Sequence, residues 1–212
     1  MKSEMRWCND IGMFAFDRSI QESCVHATDF CKKTCFNVKL FKVYKNMHVK
    51  DVRNEAYWEQ IDGKEVYNTL KRKKKQVKRG RFMTRGEAVS DYGDIDRIVD
   101  ICVNNPDTDW WLPTRAWLNP LLRVMIESRL MPIKNLKISA SLDPSNTIED
   151  WDISDSWSTM YYGDDEQLTN PKTGKKMFKC PKTWGHVKGA CETCKNGCFH
   201  GKGRVDVHLQ AH

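Results

Sequence analysis

Asp109-Trp110-Trp111-Leu112-Pro113-Thr114 and the segments on either side of it decide the fold. The run predicts a strand, along which Trp110 and Trp111 alternate, one facing helices and one facing the interior. Upstream, Arg81-Phe82-Met83-Thr84-Arg85 predicts a short strand ending at Gly86-Glu87. Asp94 then predicts the N-cap of a helix on which Ile95, Ile98, Val99 and Cys102 recur at helical spacing, and Asn104-Asn105-Pro106 ends it. Downstream, Asn119-Pro120 predicts the start of a helix carrying Leu122, Met125 and Ile126. Asn135-Leu136-Lys137-Ile138-Ser139-Ala140-Ser141 predicts a third strand, closed by Asp143-Pro144. Further out, residues 12–17 predict a strand before these and residues 204–208 one after them. Residues 51–79 read as largely helical and residues 145–175 as irregular. Strands and helices that alternate through short connections mean βαβ units, a parallel sheet and an α/β fold.

Functional groups in such sheets gather at the carboxyl ends of the strands. Here those ends carry Gly86 and Glu87, Thr114 and Arg115, and Ser139, Ser141 and Asp143. Packing alone does not ask for so many polar groups at one rim.

The 212 residues include nine cysteines, and seven of these form two groups. Cys180, Cys191, Cys194 and Cys198 are a four-thiolate set among turn-forming glycines, which suits structural Zn2+ or an iron–sulfur cluster. His186 and His200 are possible replacements for one of the four. Cys24, Cys31 and Cys35 make a group of three, which leaves a coordination position open. Zinc with His26 as fourth ligand and a three-cysteine [4Fe–4S] cluster both remain available to it. Cys102 falls on an apolar helix face and reads as core. Cys8 reads as core too, with a fourth ligand for the first group as its alternative. His208, at the end of the last strand, stands between surface and site.

The first group follows the first strand of a parallel βα sheet. In this it resembles the radical S-adenosylmethionine enzymes, with Gly86-Glu87 in the place of their Gly-Gly-Glu motif and a polar rim beyond. The spacing departs from theirs, six and three residues between cysteines instead of three and two, and Arg85 replaces the first glycine. That resemblance implies a partial (β/α) barrel, an open cluster on Cys24, Cys31 and Cys35, and an auxiliary cluster on the other four. It also implies S-adenosylmethionine held by Gly86, Glu87, Thr114, Arg115, Ser139, Ser141 and Asp143, with radical chemistry as the activity. A narrower resemblance rests on Met13-Phe14, Cys31-x3-Cys35, Trp111-Leu112-Pro113-Thr114-Arg115, Ser139-x-Ser141-x-Asp143, Cys180-Pro181 and Cys191-x2-Cys194-x3-Cys198. In these the chain resembles the phage gene product eighty-eight family.

Two parts are expected: residues 1–145 as the α/β core with a helical, basic insertion at 40–80, and residues 146–212 as an acidic linker and cysteine-rich segment completing it. The net charge of +7 concentrates in Lys71, Arg72, Lys73, Lys74, Lys75, Lys78, Arg79 and Arg81. That run can neutralise phosphates or meet an acidic host protein. The alternative to an iron–sulfur protein is therefore a zinc-stabilised protein that binds nucleic acid or a host partner through this run, without catalysis. No segment reaches the ~18–20 apolar residues of a membrane span. The start of the chain shows no secretory signal, so a cytoplasmic protein is expected.

Overall fold

The computed structural model describes residues 4–9, 11–44, 46–73, 77–166, 168–187, 190–199 and 203–211. Eight strands form one sheet: β1 (Arg6–Cys8), β2 (Met13–Ala15), β3 (Arg79–Arg81), β4 (Asp109–Thr114), β5 (Leu136–Leu142), β6 (Ser158–Gly163), β7 (Phe178–Lys179) and β8 (Asp206–Gln210). Their order is β1-β2-β3-β4-β5-β6-β8-β7, and only the β1–β2 pair is antiparallel. The sheet ends at β1 and β7, so the strands do not close into a full barrel.

From β2 to β6 each new strand adds beside the last. Right-handed crossovers that always step the same way put their helices on one face of a sheet. The helices are α1 (Ile20–Ser23), α2 (Asp29–Thr34), α3 (Phe36–Val43), α4 (Met47–Gln60), α5 (Gly63–Lys71), α6 (Tyr92–Asn104), α7 (Pro120–Met125), α8 (Pro181–Trp184) and α9 (Ala190–Thr193). The main apolar cluster joins Ile95, Ile98, Ile101 and Cys102 of α6 to Phe16, Phe82, Trp110, Leu112, Ile138 and Leu142. A second, smaller cluster lies among the alternate residues of the same strands: Met13, Ala15, Trp111 and Met160, closed by Cys8, Ile11 and Phe199. Trp110 and Trp111 divide between the two as alternation requires. Cys102 is core, as expected.

Several boundaries move. The β3 ladder is Arg79–Arg81, so residues 82–85 are irregular rather than strand. The N-cap of α6 is Asp91, and Asp94 is the third helical residue; the two form a capping box. Two aspartates three apart can fill both positions, and periodicity alone places the helix start on either. Residues 145–175 are not wholly irregular, because they contain β6. Its Ser158, Thr159, Met160 and Tyr161 are buried, and Tyr162 half-buried, between β5 and β8 despite the polar composition. Residues 146–212 therefore contribute three strands to the same sheet as residues 1–145.

Candidate functional site

The first cysteine group lies over the carboxyl ends of the strands. Ser19 caps α1 and Thr28 caps α2, each by accepting a backbone N–H, so the chain turns sharply between them. Cys24 follows α1, Cys31 sits inside α2, and Cys35 divides α2 from α3. The segment is tied down at several strand ends. The Ser23 hydroxyl accepts from the Glu87 backbone N–H, and the Thr28 hydroxyl donates to Asp143 beyond β5. Phe30 meets the ring of Tyr162 on β6 at 6.3 Å.

The three thiols lie near enough to influence one another. Burial pushes the Cys24 thiol up to about 12, with the Glu87 carboxylate and the Cys31 and Cys35 sulfurs acting in the same direction. Burial also raises Cys31, opposed by the Arg115 guanidinium beside it. Arg115 is held in turn by Asp143 at 2.7 Å, a buried pair at the rim. Asp143 stays below the usual carboxylate range because Arg115, Ser145 and Thr28 outweigh the burial that would raise it. As free thiols Cys24 and Cys31 are protonated near neutral pH and poorly nucleophilic, which disfavours thiol catalysis by either.

The remaining rim residues divide by their contacts. Glu87 is buried, and its Oε1 accepts from the Ala88 and Val89 N–H groups while Oε2 accepts from the Arg115 N–H at 2.8 Å. Thr114 supplies a further side-chain hydrogen bond. A carboxylate offers about four acceptor positions, so this one is occupied as a clamp between the loop after β3 and the end of β4. Gly86 has φ of +84°, and a Cβ there would stand 2.8 Å from both Arg18 Cβ and Ser23 Oγ. Only glycine lets this loop lie against α1. Arg85 pairs with Asp51 of α4 in the interior. Ser139 accepts from Trp111 Nε1 at 3.0 Å, and the Ser141 carbonyl accepts from Trp117 Nε1 at 3.0 Å. The trio, Arg115 and Asp143 are thus brought together, with Glu87 beside Cys24. His26 is half-buried, and its Nε2 has no hydrogen-bond partner among the described residues.

The second cysteine group lies against the face of the sheet that carries Trp111, Val207 and Leu209. Cys180, Cys191, Cys194 and Cys198 line one cavity of about 30 Å3 with Trp111, Phe199, Val207 and Leu209. Burial raises the thiols of Cys191, to about 11, and Cys198, to about 12. Among the described residues no three His, Cys, Asp or Glu side chains are drawn up as ready metal ligands. Four soft donors line one small cavity, and the three of the first group lie at the rim. His186 lies in the turn after α8, and His200 lies outside the described residues. Cys8 belongs to the second apolar cluster and pairs with Met13 at the amino end of β2, so it is remote from the trio. His208 is fully buried, with rings of Tyr161 and Trp184 against it, rather than at the surface.

The basic run divides. Lys71, Arg72, Lys73 and Lys78 are exposed, and Lys74 and Lys75 lie outside the described residues. Arg79 and Arg81 instead sit two apart on β3 and face the second cysteine group. Arg79 donates to the Cys191 and Cys194 carbonyls, and Arg81 lies 4.7 Å over Trp111. A run of like charges hides strand alternation, which turns every second side chain inward.

Among known protein families, the model described as Gene product 88 matches residues 9–201. No curated protein matches the chain, and no solved structure does.

Proposed function

The chain belongs to the gene product 88 family of phage proteins, and from that premise we propose that it is a metal–thiolate protein with two centres, an iron–sulfur centre on Cys24, Cys31 and Cys35 and a closed one on Cys180, Cys191, Cys194 and Cys198. The observation that carries this reading is the meeting of three thiols with the Arg115–Asp143 pair at the carboxyl rim of a parallel sheet. A cluster bound by three cysteines supplies one iron with an open coordination position and a site for one electron. Arg115 then holds an anionic group of a small ligand beside Cys31, using donors that Asp143 orients. Ser139 and Ser141 share one face at the carboxyl half of β5 and would line that site. Glu87 keeps the Arg115 backbone in place rather than binding the ligand itself, so S-adenosylmethionine, if it is the ligand, is held without that carboxylate.

The zinc reading has two observations in its favour. The cavity between the four thiols has room for an ion and one or two waters, not for a four-iron cube. His26, two residues after Cys24, also has an imidazole Nε2 with no hydrogen-bond partner among the described residues, and burial lowers its proton affinity. In that reading the exposed lysines of residues 71–78 meet nucleic acid or an acidic host protein.

Anaerobic purification after iron-replete expression separates the two. The expected product is brown, carries iron and sulfide, and changes its visible spectrum when S-adenosylmethionine is added. Replacing Cys24, Cys31 and Cys35 together by Ala is expected to abolish that response while leaving the metal of the second group. A colourless, zinc-loaded protein overturns the iron–sulfur reading.

A further inference from the structure

α4 carries much of its polarity inward. Asp51, Asn54 and Glu55 are buried, at helical spacing with the buried Trp58. Asp51 and Glu55 are held there by Arg85 and Arg18. The outward side of α4 instead carries Val49 and Val52, 63 and 64% exposed. The end of α3 and the turn after it add Val43, 69% exposed, and Tyr44. The Phe41 ring meets that of His48 at 4.5 Å, which joins the two helices as a hairpin. A surface helix ordinarily shows the opposite pattern, apolar inward and polar outward. Valine is also a poor helix former, so local propensity does not ask for it at exposed helical positions. Exposed apolar residues gathered in this way mark a contact surface.

Shape and charge say what kind of contact. A groove along the start of α4 is lined by Tyr44, Asn46, Met47, Val49, Lys50 and Arg53. Asn46, Val49, Lys50 and Arg53 recur at helical spacing, so the groove follows the helix. From residue 30 to residue 58 the chain has seven lysines and arginines, and its two carboxylates there, Asp51 and Glu55, are buried. Glu4 reaches one nitrogen of Arg53 at 3.1 Å and leaves that side chain 60% exposed. No acidic residue stands in the first turn of α4, and the Asn46 side chain does not cap it. The positive end of the helix dipole therefore adds to the cations. An apolar groove with a cationic rim is complementary to a helix whose apolar stripe is flanked by carboxylates. Helices that lie on bilayers present Trp, Phe and Leu, and a flat bilayer does not enter a groove.

We propose that the α3–α4 hairpin is a docking surface for an acidic amphipathic helix of a partner protein, laid along the groove with its apolar stripe on Tyr44, Val49 and Val52. The surface uses residues other than the exposed lysines of residues 71–78, and the proposal depends on neither metal reading.

The test uses the full chain and a designed, fluorescein-labelled helical peptide with leucines at i, i+3, i+4 and i+7 and glutamates elsewhere. A second peptide carries lysines in place of the glutamates. Anisotropy titrations are expected to show binding of the acidic peptide that weakens but persists as salt is raised, and no binding of the basic one. Val49→Ser combined with Val52→Ser is expected to weaken binding by roughly tenfold or more, the effect of removing central apolar contacts. Arg53→Gln is expected to weaken it less and to reduce its salt dependence. Val103→Ser and Val124→Ser, at exposed positions of α6 and α7, are expected to leave it unchanged, as are Lys71→Gln and Lys73→Gln. Circular dichroism checks folding, and Val49→Ser serves alone if the double variant unfolds. Absence of binding up to about 1 mM peptide, at the weak end of measurable affinity, overturns the proposal. So does equal binding of the two peptides, or binding that the valine changes do not affect. Tighter binding to vesicles of phosphatidylserine and phosphatidylcholine, lost in the valine variant, overturns it in favour of a membrane surface. A concentration-dependent dimer that the valine variant abolishes overturns it in favour of a second copy of this chain.

Discussion

Asp94 ties three elements together at one carboxylate. It accepts from Arg18 after β2 at 2.7 Å, from Trp58 Nε1 of α4 at 2.6 Å, from Arg97 on its own helix, and from the Ser90 N–H and hydroxyl. Arg18 in turn pairs with Glu55 of α4, so the insertion helices are locked to the sheet through this one buried network. Removing one member of a buried ionic set leaves its partner uncompensated, at a cost of about 3–5 kcal/mol. Asp94→Asn is expected to lose stability of that order in urea unfolding. Burial pushes the Asp94 carboxyl up, but Arg18 and the Ser90 donors outweigh it and hold it below the usual carboxylate range. A carboxylate lowered by folding stabilises above its unfolded pKa, and that stability goes as pH falls through the folded value. Wild type is therefore expected to lose stability steeply below about pH 4, and Asp94→Asn to show a shallower loss. Equal acid slopes in the two proteins would remove Asp94 from this role. The sequence names Asp94 as a helix-start residue, and it is one. What it could not show is that the same side chain reaches Arg18 and Trp58, because those contacts join residues 76 and 36 positions away.

At the scale of elements, β3 is where reading from sequence and structure part. Residues 71–81 look like one cationic surface because eight of eleven are basic. Placed on a strand, Arg79 and Arg81 share a face and Gly80 takes the other. Gly80 is buried under the Trp110 ring, where a Cβ would stand 2.3 Å from Cζ3. The absence of a side chain there lets Trp110 lie across β3, its ring tilted against that of Phe82 at 5.0 Å. Gly80→Ala is expected to push the indole out of this position, at an overpacking cost of about 1–3 kcal/mol. The checks are the thermal midpoint and the tryptophan emission, which should move toward that of a more exposed indole. An unaltered midpoint and spectrum would mean that the Trp110 pocket relaxes freely. β6 was hidden for a related reason. Its flanks, Asp150-Trp151-Asp152 and Asp164-Asp165-Glu166, are acidic, so the buried six-residue strand between them reads as part of a polar stretch. The rim was legible because polar residues directly after apolar runs mark strand ends, whatever the exact ladder boundaries.

Across the whole molecule, the two faces of the sheet are closed by different means. The helical face is sealed by a large apolar cluster built from four strands and the helices between them. The opposite face is sealed by a short segment within residues 180–199, whose described residues bring few buried apolar side chains and two short helices. Phe199 is the main apolar anchor of that segment. It is buried, and its ring meets Trp111 edge-on at 5.4 Å. Regions with few buried contacts open locally at a fraction of the global unfolding free energy. Phe199→Ala is therefore expected to free this segment without unfolding the sheet. Limited trypsin digestion should then cut first at Lys182 and Lys195, while residues of the helical face stay protected. If the whole chain is digested at one rate instead, the segment is part of a single cooperative unit with the sheet. Loss of the cysteine-bound metal is expected to give the same early cuts, because four ligands drawn from 19 residues would otherwise hold the segment at both of its ends. On the proposed metal reading, a closed centre there would do for the inner face what apolar burial does for the outer one.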